Sequence, residues 1–182
     1  MTRGDNRVWY QNLMGNYPIV KKIVEEFEGK EIYTCHTSGI DGRRVNFDMT
    51  NVTFCHEGEI KNAPSIVHNM CAVEEFSLEK YYESVYEIMK QFQDPDCPCR
   101  KCSHCMKQTF HFKPIRLVII SPSNYCNSSC IYCYCHFAPK NSGYNSIPYI
   151  KELGEASVLE SGCLFDWGGV GSQHKISFLK RR

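Results

Sequence analysis

Cys126, Cys130 and Cys133 stand at the spacing C-x3-C-x2-C inside the stretch S-P-S-N-Y-C-N-S-S-C-I-Y-C-Y-C-H, residues 121–136. Thiolates this close, on a loop rich in Ser, Asn and Pro, can wrap a single iron–sulfur cube. Three ligands for four irons leave one iron open to a further ligand. The apolar run Ile115–Ile120 leads straight into the loop and reads as the strand that delivers it. Cys135 and His136 follow at once. They are candidate alternative ligands, but Cys135 reads as a bystander, because three thiols in register already satisfy such a cluster.

A second group of thiols lies upstream. Cys97, Cys99, Cys102 and Cys105 give C-x-C-x2-C-x2-C within D-P-D-C-P-C-R-K-C-S-H-C. Four thiolates at this spacing can reach one tetrahedral metal ion, which asks for sulfur about 2.3 Å away. Spacing does not separate zinc from a second iron–sulfur cluster. His104 lies inside the run and reads as a solvent-facing neighbour, although an imidazole can stand in for a thiolate. Cys55, at the end of an expected strand in F-C-H-E-G, is a candidate distant ligand for the same site; the competing reading is a polar turn around Gly58. Cys35 reads as a packing residue on an earlier strand. The chain carries twelve cysteines in all, and no export signal precedes them. Bunched thiols without export hold metal more often than disulfides.

The Cys126–Cys133 stretch resembles the signature of the radical S-adenosylmethionine (radical SAM) enzymes. Spacing, preceding strand and the aromatic Tyr132 just before the third cysteine all match. The resemblance implies a [4Fe–4S] cluster on Cys126, Cys130 and Cys133, with its open iron chelating the amino and carboxylate groups of S-adenosylmethionine. It implies reductive cleavage of that sulfonium to a 5'-deoxyadenosyl radical, fed by an electron donor protein, and it sets Tyr132 near the adenine. In the family a second strand runs into a Gly-Gly-Glu-Pro motif that holds the methionine part. Here Phe165-Asp166-Trp167-Gly168-Gly169 fits the approach, so Gly168 and Gly169 are candidate cofactor-binding residues. The chain then departs, with Val170-Gly171-Ser172-Gln173 where Glu and Pro would follow. Those four residues can be encoded by bases whose neighbouring frame reads Gly-Gly-Glu-Pro, so a frameshift or truncation is the expected cause. A short homologue with another carboxyl-terminal partner is the alternative.

These motifs need elements to position them. Residues 17–29 read as a helix, with Pro18 at its first turn and Gly29 as its stop. Residues 31–36 and 44–49 read as strands joined through an Asp41-Gly42 turn, with a third strand over 52–55. Apolar residues recur at helical spacing over 72–93, ending at Asp94-Pro95. Residues 147–160 read as a helix and 163–167 as a strand, which with 115–120 makes one parallel βαβ unit. The second strand is expected to have an open edge, and the last residues show no strand or helix period.

The expected fold class is α/β: the beginning of a radical SAM partial (β/α) barrel behind a small α+β cysteine-bearing module. The expected domains are that module over 1–112, the start of the radical SAM core over 113–169, and an aberrant tail over 170–182. A net charge of +1 gives no argument for nucleic acid or an anionic membrane as partner. No apolar run is long enough to cross a bilayer and the amino terminus has no signal-peptide core, so a cytoplasmic protein is expected. A complete barrel would need about six βα units. The chain by itself is therefore expected to bind a cluster and S-adenosylmethionine without substrate turnover, and its substrate is not legible. The alternative function is a non-catalytic zinc- or iron–sulfur-binding module. No C-x2-C sits at a thioredoxin-like strand–helix junction, which argues against a thiol-redox protein.

Overall fold

A computed structural model describes residues 6–35, 41–48, 51–55, 67, 69–121, 147–156, 159–167 and 173–174. Helices α1 (Asn6–Asn16) and α2 (Pro18–Phe27) come first. Pro18 opens α2, and Gly29 beyond its end adopts φ 72°, the left-handed conformation that glycine accepts without strain. Helix α2 buries Val20, Ile23 and Phe27. Helix α1 has no counterpart in the sequence reading. Its carboxyl-terminal half carries Gly15 and Asn16, both poor helix formers, and presents Leu13 as its deeply buried anchor.

Two sheets follow. Strands β1 (Glu31–Cys35) and β5 (Cys105–Thr109) form an antiparallel ribbon, with Cys35 opposite Cys105 at one end and Glu31 opposite Thr109 at the other. The larger sheet has the order β4-β3-β2-β6-β7-β8. Its members are β2 (Arg44–Asp48), β3 (Asn51–Thr53), β4 (Cys71–Ala72), β6 (Ile115–Ser121), β7 (Leu159–Trp167) and β8 (Gln173–His174). The chain enters β2 through Asp41-Gly42, as expected, with Gly42 at φ 75°. However, β1 and β2 are not a hairpin. The first pairs with β5, more than 70 residues on, and the second with β3 and β6.

At the centre of the larger sheet β2, β6 and β7 run parallel. Ile115, Val118 and Ile120 are buried, as a strand flanked on both edges requires. The expected βαβ unit is present: β6 and β7 are parallel and α4 (Ile147–Glu155) lies between them in the chain. The helix is shorter and the second strand longer than the sequence suggested, since α4 stops at Glu155 and β7 starts at Leu159, opposite Ile115. The outer edge of β7 is partly covered by β8, antiparallel over Phe165–His174 and Asp166–Gln173, so the open edge expected there is shortened. The sheet also runs across residue 113, because β2 of the amino-terminal half is hydrogen-bonded to β6.

Helix α3 (Leu78–Gln93) binds the two sheets together. Near its start Tyr81 Oη donates to the Arg44 carbonyl of β2 at 2.8 Å. At its end the Gln93 amide accepts from Tyr33 N at 2.9 Å and donates to Tyr33 O at 3.0 Å, on β1. The helix begins later than its periodicity implied. Residues 71–72 are strand β4, 73–75 a 3-10 turn, and Ser77 is the cap, its Oγ accepting from Lys80 N at 3.2 Å. The Glu152 carboxylate of α4 accepts from Leu78 N at 2.9 Å, a negative charge at the positive end of α3. An aromatic layer fills the space beneath: Phe47 lies edge-on to Phe76 at 4.8 Å between ring centroids and stacked on Tyr149 at 5.6 Å. Among the described residues no helix is long and apolar enough to cross a membrane.

Candidate metal centres

The upstream thiols sit in a chain of tight turns. Arg100 N donates to Cys97 O, Cys102 N to Cys99 O and Cys105 N to Cys102 O, at 2.9, 3.2 and 3.0 Å. Pro98–Lys101 is a 3-10 turn. The 3-10 conformation ends at Lys101 and Cys102 is extended, so Cys99, Cys102 and Cys105 are linked as successive tight turns. Arg100 fixes the turn in place. Its guanidinium lies 3.2 Å from the Tyr33 ring centroid, and its Nη1 donates to Phe92 O and Gln93 O at the carboxyl end of α3. A cation there also meets the negative end of the helix dipole. The motif is thus held by strand β1 on one side and helix α3 on the other.

Cys97 and Cys99 are buried; Cys102 and Cys105 are half-buried. Burial pushes the Cys99 thiol up to about 12, with Cys97, Cys55 and Cys102 adding to the effect. Burial also raises Cys105, against the opposing charge of Arg100, and the nearby Cys35, Cys102 and Cys97 raise it further. Cys99 and Cys105 therefore keep their protons near neutral pH and are poor nucleophiles. A metal ion would have to displace those protons on binding. No disulfide joins the described cysteines. As the side chains stand, no three His, Cys, Asp or Glu groups among the described residues close on one point as metal ligands. The thiols are gathered, but not converged.

The sequence reading named Cys97, Cys99, Cys102, Cys105 and Cys55 together, and these five do share one neighbourhood. Cys55, half-buried after β3, donates its backbone N–H to Val67 O at 3.1 Å and lies near Cys99. Cys35, read from the sequence as a packing residue, does lie in the hydrophobic core. It is buried, 7% exposed, and its register position opposite Cys105 puts it at the same cluster. The sequence signal available was a cysteine ending a strand; which strand lay opposite was not readable. His104 donates its backbone N–H to Cys102 Sγ at 3.5 Å, a weak contact that holds the turn.

Cys126, Cys130, Cys133, Tyr132, Gly168 and Gly169 lie outside the described residues, as do Cys135 and His136. The elements that lead to them are described. Strand β6 ends at Ser121, five residues before Cys126, and β7 ends at Trp167, beside Gly168. In register Ile120 pairs with Trp167. The two segments that carry the resemblance therefore leave the sheet from the carboxyl ends of adjacent parallel strands.

A shallow depression of 180 Å³ lies at the end of β5 remote from Cys105, lined by Asp41, Arg43, His111 and Lys113 among others. It is smaller than ordinary small-molecule sites, which run to about 300–1,000 Å³. His111 is occupied by Glu28, Nδ1 to Oε1 at 2.9 Å. No family model, curated protein or solved structure matches the chain.

Proposed function

We propose that the chain carries the start of a radical SAM core, with Cys126, Cys130 and Cys133 as ligands of a [4Fe–4S] cluster that binds S-adenosylmethionine. One observation supports this reading above the others. Parallel strands β6 and β7 bring the chain to the three-cysteine segment and to Gly168-Gly169 at one edge of one sheet. Ligands of parallel α/β sheets are bound outside the carboxyl ends of the strands. The two segments named from the sequence for cluster and cofactor thus start where a shared ligand would be held.

In this reading the three thiolates hold the cluster, and Tyr132, Gly168 and Gly169 line the place of the nucleotide and methionine parts. Bound cluster would supply the electron for reductive cleavage of the sulfonium, drawn from an electron donor protein. The donor set suits the group, since soft thiolates are what iron–sulfur clusters take. In this reading the protein works in the cytoplasm.

The test is anaerobic purification, reconstitution with iron and sulfide, and visible and electron paramagnetic resonance spectra with and without S-adenosylmethionine. Expected is a cluster whose reduced spectrum shifts when S-adenosylmethionine is added. The combined replacement Cys126→Ala, Cys130→Ala and Cys133→Ala should abolish that shift. A spectrum and a response that survive all three replacements overturn the reading.

A further inference from the structure

We propose that Cys35 is a ligand, together with thiols of the Cys97–Cys105 motif, of a thiolate-bound metal centre that clamps strand β1 to the turn before β5. Three observations carry it. Cys35 faces Cys105 in the antiparallel register, at the end of the ribbon where the motif ends and β5 begins. Backbone hydrogen bonds from Cys102 N to Cys99 O and from Cys105 N to Cys102 O fold the motif into successive tight turns that end at Cys105. Arg100, stacked on Tyr33, anchors that turn to the strand two residues before Cys35.

The inference does not rest on the reading of Cys126, Cys130 and Cys133. It concerns a different set of sulfurs on described elements. It also explains a cost. A ribbon of two short strands is marginal by itself, and here its Cys35 end is packed with sulfur instead of larger apolar groups. Cysteine is a small hydrophobe, and a void between small side chains forfeits dispersion contacts. A metal drawing four thiolates inward converts that end of the ribbon into a crosslink. The thiols stand in one neighbourhood without converging, so metal binding has to draw them together. Each ligating S–H gives its proton to solvent and its lone pair to the metal, with no change of oxidation state at sulfur. Zinc and an iron–sulfur cluster share this chemistry.

The experiment uses the full chain, reduced and loaded with Co(II), and follows the sulfur-to-cobalt charge-transfer band. With four thiolates on one ion, Cys35→Ser should remove about a quarter of the band. Cys105→Ser should do the same, and Cys71→Ser, on distant β4, should leave it intact. Circular dichroism establishes that each variant is folded. A measurement on the unaltered chain covers the case where Cys35→Ser does not fold: alkylation in mild denaturant, with and without Cd(II), read by mass spectrometry. Protection of Cys35 along with Cys102 and Cys105 supports the proposal. Cys35 modified equally with and without metal, or no protection of any of these thiols, overturns it. Metal analysis and the visible spectrum of the protein as isolated distinguish zinc from iron–sulfur.

Discussion

Two neighbouring tyrosines show how little residue type decides by itself. Tyr81 and Tyr82 are both fully buried at the start of α3. Tyr81 Oη has a partner, the Arg44 carbonyl of β2. Tyr82 Oη is buried against the rings of Tyr17 and Phe112, and among the described residues it has no hydrogen-bond partner. A made hydrogen bond contributes about 1 kcal/mol net, whereas an unmade one leaves a desolvation cost of about 1–3 kcal/mol. Tyr81→Phe should therefore lower stability by about 1 kcal/mol. Tyr82→Phe should raise it by a similar amount. Urea unfolding of both variants decides; a loss of stability in Tyr82→Phe would show that its hydroxyl is satisfied after all. Both phenols are held above their ordinary range by burial, so the contrast should not vary with pH below about 9. The sequence marked Tyr81 as a core residue through its helical spacing. It gave no means of telling which hydroxyl would find an acceptor, because that acceptor sits on a strand 37 residues away.

Elements were legible where punctuation is local, and illegible where a partner is remote. Pro18 and Gly29 bracket α2, and Gly42 marks the turn into β2, because each relies only on the conformational freedom of one residue. The start of α3 was misplaced because Val73 and Phe76 continue the apolar pattern of the helix, and both are buried. Ser77, not periodicity, sets the boundary, since its side chain can satisfy an amide that the first turn leaves open. The partner of β1 could not be read, because antiparallel pairing leaves no trace in the strand itself. This is also why the position of Cys35 opposite Cys105 could not be read. The turn that launches β2 yields a prediction of its own. Asp41 Oδ1 accepts from Arg43 N at 3.1 Å. Burial nevertheless raises its pKa, outweighing that hydrogen bond and the charges of Arg43 and Lys113. A carboxyl raised on folding adds stability that is fully present below its unfolded pKa, about 3.9, and is lost as pH rises through the folded value. Asp41→Asn keeps the acceptor and removes the charge. It should be more stable than the parent at pH 7, with the difference fading as pH falls through the folded value and gone below about 4. Thermal unfolding across this range checks it; a difference independent of pH would mean that burial does not govern Asp41.

At the scale of the whole molecule the composition shift near residue 113 suggested two units, and the sheet runs across it. Strand β2 lies between β3 and β6, and its parallel contact with β6 covers five register positions, from Arg44–Leu117 to Asp48–Ser121. Val45 and Val118, opposite one another, are both fully buried. Glu152 of α4 reaches back to the first turn of α3. Cutting the chain after residue 112 would therefore remove one edge of β2, the aromatic contact of Tyr149 on Phe47, and a cap of α3. What stayed behind would be a strand with unpaired N–H and C=O groups beside exposed valine and phenylalanine, the arrangement that invites edge-to-edge association. Residues 1–112 alone should consequently lack a cooperative thermal transition and should self-associate. The full chain should unfold with coincident near- and far-ultraviolet circular dichroism over these elements. A monomeric 1–112 fragment with a sharp, reversible transition would show that the thiol-bearing half holds itself together, and that β6 is an addition to it. The outcome bears on the chemistry as well. If the two halves fold only together, strand β6, which leads to Cys126, depends on the same core that buries Cys35, Cys97 and Cys99.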